Sequence, residues 1–237
     1  MAHLANSRYE PSPLNRPPRV LDRQQGHVQW DTRHKVCLYG AGWGHRCAPL
    51  EDPSWVVWAL NVIPPVDSQG RLRADAWFEL HERKAQSADD LRWIAACPVP
   101  IFVPDDLMDA SPQAVRFPVE RLEARYHAYW ACTFAYQLAM ALDAGFKEVG
   151  LYGVELALGT PRERTVEWAC VSWWIGYLQG RGVRIRVPAG GRLGAHRCRY
   201  GFDYDAEIED VQGYVDRMAA MDREERRLSL RRASVGG

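Results

Sequence analysis

Three short stretches hold most of the side chains that could do chemistry. "VCLYGAGWGHR", residues 36 to 46, ends an apolar run in Gly40, Gly42 and Gly44. Glycines directly after a strand let the backbone approach an anion closely, and a following helix would add free N–H groups. Trp43, inside the loop, is placed to stack on a ligand. "WFELHER" puts His81 and Arg83 just past another apolar run. His81 changes charge near neutral pH and could act as general base or acid. Arg83 could hold a phosphate. "LYGVEL" carries Glu155 on an otherwise apolar segment, after Gly153. That carboxylate could bind ribose hydroxyls, hold a metal or act as a base. Asn61 ends "SWVVWALN"; an amide both donates and accepts, so it could read a base or a sugar hydroxyl without repelling phosphate. Thr133 sits where a long helical stretch could break, and it could cap a fresh helix aimed at the same cleft.

Each of these residues also has a plainer reading. The glycines could form an ordinary strand-to-loop turn. His81 could be a solvated loop histidine bonded to the backbone, and Glu155 a cap or ion pair at a strand end. Thr133 could be buried and bonded to its own helix. Trp168, Trp173 and Trp174 fit core or interface better than a ligand site.

The elements that would position these residues follow from hydrophobic patterning. Buried strands are predicted over 35–40, 54–61, 75–81, 99–104, 148–156 and 183–188. Helices are predicted over 119–144, with a break near Cys132, and over 163–180, where Trp168, Val171, Ile175 and Leu178 recur at helical spacing. Gly145 and Gly180 fall where helix C-terminal caps belong. Apolar strands alternating with helices predict an α/β, Rossmann-like fold: a mostly parallel sheet with helices on both faces. In such sheets ligands sit beyond the carboxyl ends of the strands. Gly40 to Gly44, Asn61, His81 and Glu155 all lie at predicted carboxyl ends.

Around that domain, taken as residues 31–204, two appendages are expected. Residues 1–30 form a proline-rich arm, extended or disordered, that could lie across a partner subunit. Residues 205–237 read as a charged C-terminal helix and tail. Either could support a homo-oligomer.

The 237 residues carry 30 Lys plus Arg against 30 Asp plus Glu. That balance predicts no general electrostatic grip on nucleic acid. The N-terminal stretch has no apolar core of the signal-peptide kind, and no run reaches the roughly 18 apolar residues of a membrane helix. With six cysteines and no CxxC pair, reduced thiols in a cytoplasm are the simplest expectation.

Several motif classes fail. The G-x-G-x-x-G fingerprint is broken, because position 45 is His and Gly44 falls one place early. The acidic residue about 20 positions on that would hold an NAD ribose is missing. No GK[ST] and no G-x-S-x-G follows, and His and Cys lack zinc spacing. No metal site is expected.

"GAGWGHRCAPLEDPSWVVWALN", "DAWFELHER", "CTFAYQLAMALDAGFKEVGLYGVEL", "GRGVRIRVP" and "RYGF" together resemble a group of uncharacterised tailed-phage and prophage proteins, over about residues 35 to 202. More distantly the chain resembles the DUF115 group, with its 6-hydroxymethylpterin diphosphokinase MptE-like members, and the sialyltransferases of glycosyltransferase family 42. The shared pattern runs from a glycine loop to "LN" at the end of strand two, then a Ser/Thr-led helix, then "GF/Y-K-E-I-x-L-x-G-x-D". Gly40, Gly42, Asn61, Thr133, Gly145, Gly153 and Glu155 occupy those places. The departures are Trp43-Gly44 for Pro-Ser, Glu155 for Asp, and Ser172 for a frequent Glu in the phage group. The resemblance implies a phage or prophage origin, a host cytoplasm, and a nucleotide or nucleotide-sugar ligand.

The expected function is a nucleotide- or nucleotide-sugar-dependent transferase, foremost a glycosyltransferase. Gly40, Gly42 and Gly44 would cradle phosphate, Asn61 and Glu155 would read ribose or base, and His81 would handle the proton. A pyrophosphokinase would use the same cleft with Mg²⁺. A protein that binds or sequesters a nucleotide without turnover is the non-enzymatic alternative. NAD-dependent oxidoreduction is weakened by the missing ribose carboxylate.

Overall fold

The computed structural model describes residues 9–60, 64–156 and 160–188, together with 193, 202 and 216; of Trp43 and Arg164 it describes the backbone alone. The C-terminal helix expected over 205–237 lies outside the described residues apart from Asp216. Asn61 and Cys198 lie outside them too.

A seven-stranded sheet organises the chain. Its strands are β3 (Lys35–Tyr39), β4 (Trp55–Leu60), β5 (Ala76–Phe78), β6 (Ile101–Val103), β7 (Ala114–Arg116), β8 (Glu148–Tyr152) and β9 (Arg184–Arg186). The order across the sheet is β7-β6-β5-β4-β3-β8-β9, and every pairing is parallel. The fold is α/β and Rossmann-like. From β3 the chain steps outward to the β7 edge, then returns to lay β8 on the other side of β3. The switch in direction therefore falls between β3 and β8, where open α/β sheets form their ligand crevice.

The central strands are apolar throughout because both faces are covered. Val36 and Leu38 of β3 join one core with Trp58, Phe78 and Phe102. Cys37 and Tyr39 point the other way, against Trp55, Val57 and the partly buried Ala48 and Leu50 of the loop after β3. The first core is roofed by α3 (Thr133–Asp143) and α4 (Trp168–Gly180), and the opposite face by α1 (Ala88–Ala96), whose Trp93 and Ile94 meet Trp77 and Ile101.

The long helix expected over 119–144 is two helices: α2 (Val119–Arg125) ends at Tyr126, which is extended, and the chain resumes helix at Thr133. Outside the arm, one helix and one strand went unread. One is α1. The other is β7, a three-residue strand too short to show alternation.

The arm departs from expectation. Residues 9 to 30 are neither free nor disordered; they pack on their own domain. A hairpin of β1 (Arg19–Asp22) and β2 (His27–Gln29) forms a separate two-stranded sheet. Arg23 donates to the carbonyl of Ala114 at 3.1 Å, beside the edge strand β7. Trp30 lies 4.9 Å from Trp58, ring to ring. Ahead of the hairpin, the Asn15 amide donates to the Leu72 carbonyl at 2.8 Å.

The arm is also held by a charged cluster at the amino ends of β4 and β5. Arg73 and Asp75 are fully buried. Asp75 Oδ2 accepts from Arg73 Nη1 at 2.9 Å and from the Val57 amide at 2.8 Å. Its other oxygen accepts the amide of Arg16 in the arm. Arg33 Nη1 reaches Asp75 at 3.3 Å and the Trp55 carbonyl at 2.9 Å, while Arg33 Nη2 donates to the Arg16 carbonyl at 2.7 Å. Buried charges survive only when paired and hydrogen-bonded, and here one carboxylate serves two guanidiniums and two backbone amides.

Among the described residues no helix is long and apolar enough to cross a membrane.

Candidate functional site

At the switch point the glycine loop is stitched to the loop after β8. The Gly40 amide donates to the Tyr152 carbonyl at 2.8 Å, and that of Gly42 to the Gly153 carbonyl at 2.8 Å. The Gly44 amide donates to Glu155 Oε1 at 2.8 Å. A Cβ on Gly40 would stand 2.4 Å from the Gly153 carbonyl oxygen, and one on Gly153 would stand 2.3 Å from that of Gly40. The glycines are needed because two backbones touch, and all three amides are spent inside the protein. The phosphate cradle expected from Gly40, Gly42 and Gly44 is thus occupied by the protein's own carbonyls and carboxylate. Trp43 opens a short 3₁₀ turn there, Trp43–Cys47, and its side chain lies outside the described residues. Gly153 has φ +74°, a conformation that glycine adopts freely. Gly153→Ala is expected to destabilise the fold by about 2 kcal/mol or more, through strain and backbone collision. Urea unfolding of both proteins measures it.

Glu155 is therefore a loop lock rather than a partner of His81. The two residues follow β5 and β8, strands three positions apart and so roughly 14 Å apart at ordinary strand spacing.

Beside the stitched loops, over the α3 face of the sheet, lies an open cleft of about 530 Å³. Leu60 and Leu80 form its sheet-side wall with Leu156. Thr133 and Phe134 bring the start of α3 to it, Trp130 and Tyr136 give an aromatic wall, and Thr160, Arg162, Glu163 and Glu167 close the far side. The volume suits a small-molecule ligand. The structure brings His81 and Thr133 together here. Leu60, the residue before Asn61, lines it as well.

His81 arrives oriented. Its Nδ1–H donates to Glu79 Oε1 at 2.6 Å, and Gln86 Nε2 donates to the same oxygen at 3.2 Å. Gln86 also donates to the His81 carbonyl at 3.0 Å. With Nδ1 donating, Nε2 of the neutral ring is an acceptor. The Glu79 bond raises the His81 pKa above its usual value; burial opposes that rise, and the charges of Glu79, Asp90 and Glu167 add to it.

A pKa raised by folding means that the pair's contribution is complete below the unfolded value of about 6.5 and fades as pH rises through the folded value. The His81 side chain is 60% exposed, so solvent screens the pair. Its ring resonances are expected to titrate above about 6.5. In Glu79→Gln they should move down, and proton NMR over pH 5 to 9 checks this.

Across the cleft, Glu167 accepts from Arg162 Nε at 3.0 Å, and Arg162 Nη2 donates to the Ala131 carbonyl at 3.1 Å. Burial raises the Glu167 pKa, against that Arg162 bond. The segment Glu163–Glu167 is a π-helical turn feeding α4; such turns recur at functional sites. Cys132 also lines the cleft, but burial pushes its thiol up to about 12. It is no thiolate nucleophile near neutral pH.

Two further assignments change. Thr133 is the first helical residue of α3, and the cap position belongs to Cys132, whose side chain makes no capping bond. Arg83 is turned away from the cleft: its Nε donates to the Asp106 carbonyl at 2.8 Å and its Nη2 pairs with Asp109. Sequence reasoning missed Glu79, Trp130, Tyr136, Arg162 and Glu167. Only Glu79 left a signal, since positions 79 and 81 share one side of an extended chain.

Comparison with protein-family models, curated proteins and solved structures finds no match to this chain.

Proposed function

We propose that the cleft binds a nucleotide or nucleotide sugar and that the protein is a transferase, foremost a glycosyltransferase. The observation carrying this reading is the Glu79–His81 pair, 2.6 Å apart, at the mouth of a ligand-sized cleft beyond the carboxyl ends of a parallel sheet. A histidine held at Nδ1 by a carboxylate is fit to take a proton at Nε2. An acceptor hydroxyl would lose its proton to Nε2 as its oxygen bonds to the anomeric carbon. The bond from that carbon to the donor phosphate breaks, and its electron pair leaves on the phosphate.

The rest of the cleft supports the reading. α3 opens on it with Thr133 at its first turn, and the positive end of a helix dipole favours a phosphate. Trp130, stacked on Tyr136 at 4.7 Å and 12° and on Trp174 at 5.1 Å and 16°, makes a packed aromatic wall whose edge a base or sugar ring would lie against. The resemblance to phage proteins and to DUF115 and family 42 enzymes points to the same ligand class, in a host cytoplasm.

The test is a thermal-shift screen of the full chain against nucleotides and nucleotide sugars, followed by donor hydrolysis assays on whatever binds. A ligand at 100 times its Kd stabilises by about 2.7 kcal/mol. A screen in which no nucleotide class moves the melting temperature rejects the proposal. A nucleotide that binds without turnover leaves the sequestering alternative in its place.

A further inference from the structure

A second hollow of about 360 Å³ adjoins the cleft and shares Leu80 and Tyr136 with it. The chain alternates as it crosses the shared wall: His81 lines the cleft and Glu82 lines the second hollow. His81 thus lines the cleft between two neighbours in the chain, Leu80 and Glu82, that line the second hollow. A ligand in the second hollow could offer a hydroxyl to a donor in the cleft beside the one group oriented to accept its proton.

The lining of the second hollow differs from that of the cleft. Its floor is apolar, with Leu80, Pro104, Phe117, Val119 and Tyr136. Phe117 and Tyr136 meet edge-to-face at 5.3 Å, which fixes the rings in place. Its rim carries Glu82, Asp105, Asp106 and Glu120 against a single guanidinium, Arg116. Arg116 is already held by Asp105 and by Glu120 at 2.8 Å. Asp106 accepts the Arg83 amide at 2.7 Å, and Glu82 pairs with the exposed Lys84 at 2.5 Å. With Arg116 and Lys84 set against four carboxylates, the rim stays net negative, which repels phosphate and attracts a cation.

We propose that this second hollow is the acceptor compartment of the transferase, and that the acceptor carries hydroxyl groups together with a positive charge, as an amino sugar does. The proposal rests on the transferase reading of the cleft. It adds a bipartite site: the donor occupies the cleft, the cationic acceptor occupies the second hollow, and His81 stands between them.

The experiment compares three molecules with one ring and different charge: glucosamine, glucose and glucose 6-phosphate. Each is titrated calorimetrically into the full-length protein saturated with whichever nucleotide the thermal-shift screen identifies. Glucosamine is expected to bind at least about tenfold more tightly than glucose, and glucose 6-phosphate not at all. Glu82→Lys reverses a charge on an exposed side chain and is not expected to disturb folding. It should weaken glucosamine by about tenfold or more and leave nucleotide affinity unchanged. Equal binding of the three sugars, or glucosamine binding indifferent to Glu82→Lys, overturns the acceptor compartment while the donor cleft stands. Failure of every nucleotide to bind removes the donor reading first, and the acceptor role goes with it.

Discussion

His81→Ala is expected to lower donor turnover by about 10²- to 10⁴-fold, with donor affinity nearly unchanged. The split follows from where the side chain sits. His81 lies at the margin of the cleft with 60% of its side chain exposed, so its removal takes little contact area from a bound donor. What it takes is the proton acceptor that Glu79 holds in place. Glu79→Gln separates the two roles. The amide can still accept a hydrogen bond from Nδ1, so the ring keeps its orientation, but the charge that favours protonation is gone. Turnover by Glu79→Gln should therefore fall less than by His81→Ala, and its pH profile should shift. If the neutral ring is the base, as proposed, wild-type turnover rises with pH through the raised His81 pKa. The rise in Glu79→Gln comes at lower pH. Steady-state kinetics from pH 5 to 9 read both quantities. Equal donor turnover by His81→Ala and wild type would remove the histidine from the reaction.

Asp75→Ala is the substitution expected to damage the fold most. It leaves Arg73, fully buried, without its carboxylate partner, while Arg33 keeps Asp31. It also orphans the Val57 amide. Removing one partner of a buried ion pair costs about 3–5 kcal/mol, a large part of a domain's stability of about 5–15 kcal/mol. Asp75→Asn should cost less, because the amide oxygen still accepts while the charge is lost. Denaturant unfolding measures both. If Asp75→Ala lost less than about 1 kcal/mol, the network would be an ornament of the fold and not part of its framework.

The sheet was legible because its strands are buried on both sides. "KVCLY", "WVVWAL" and "EVGLY" read as continuous apolar runs, and β3, β4 and β8 occupy them. A break near Cys132 was expected, and the structure opens it from Tyr126 to Cys132. The unread elements were short or signalled locally. α1 announces itself by a capping box, in which Ser87 accepts from the Asp90 amide and Asp90 accepts from the Ser87 amide. β7 has only three residues. The arm read as free because prolines bar helix and central strand, yet Pro11 bridges to Leu72 as extended chain, which proline permits.

The candidate site was legible in part. Spacing placed the glycines directly after β3, where they lie, but carried the third strand to His81, whereas β5 ends at Phe78. It could not show that Gly42 and Gly44 would be used by the neighbouring loop, since Gly153 and Glu155 lie more than a hundred residues away. Nor could it show that Trp130 would turn inward or Arg83 outward, because loop side chains have no period to betray their direction.

The π-helical turn Glu163–Glu167 has a consequence for how the far wall of the cleft can vary. Such a turn holds one residue more than ordinary helix, and deleting one would swing everything ahead of it by about 100° around the axis. Trp174, a full turn and more downstream, is bolted into the core. The turn thus works as a swivel: Thr160, Arg162 and Glu163 can be re-aimed by a single-residue change in length while the helix behind them stays put, and descendants of this sequence could trade one ligand for another there without rebuilding the sheet.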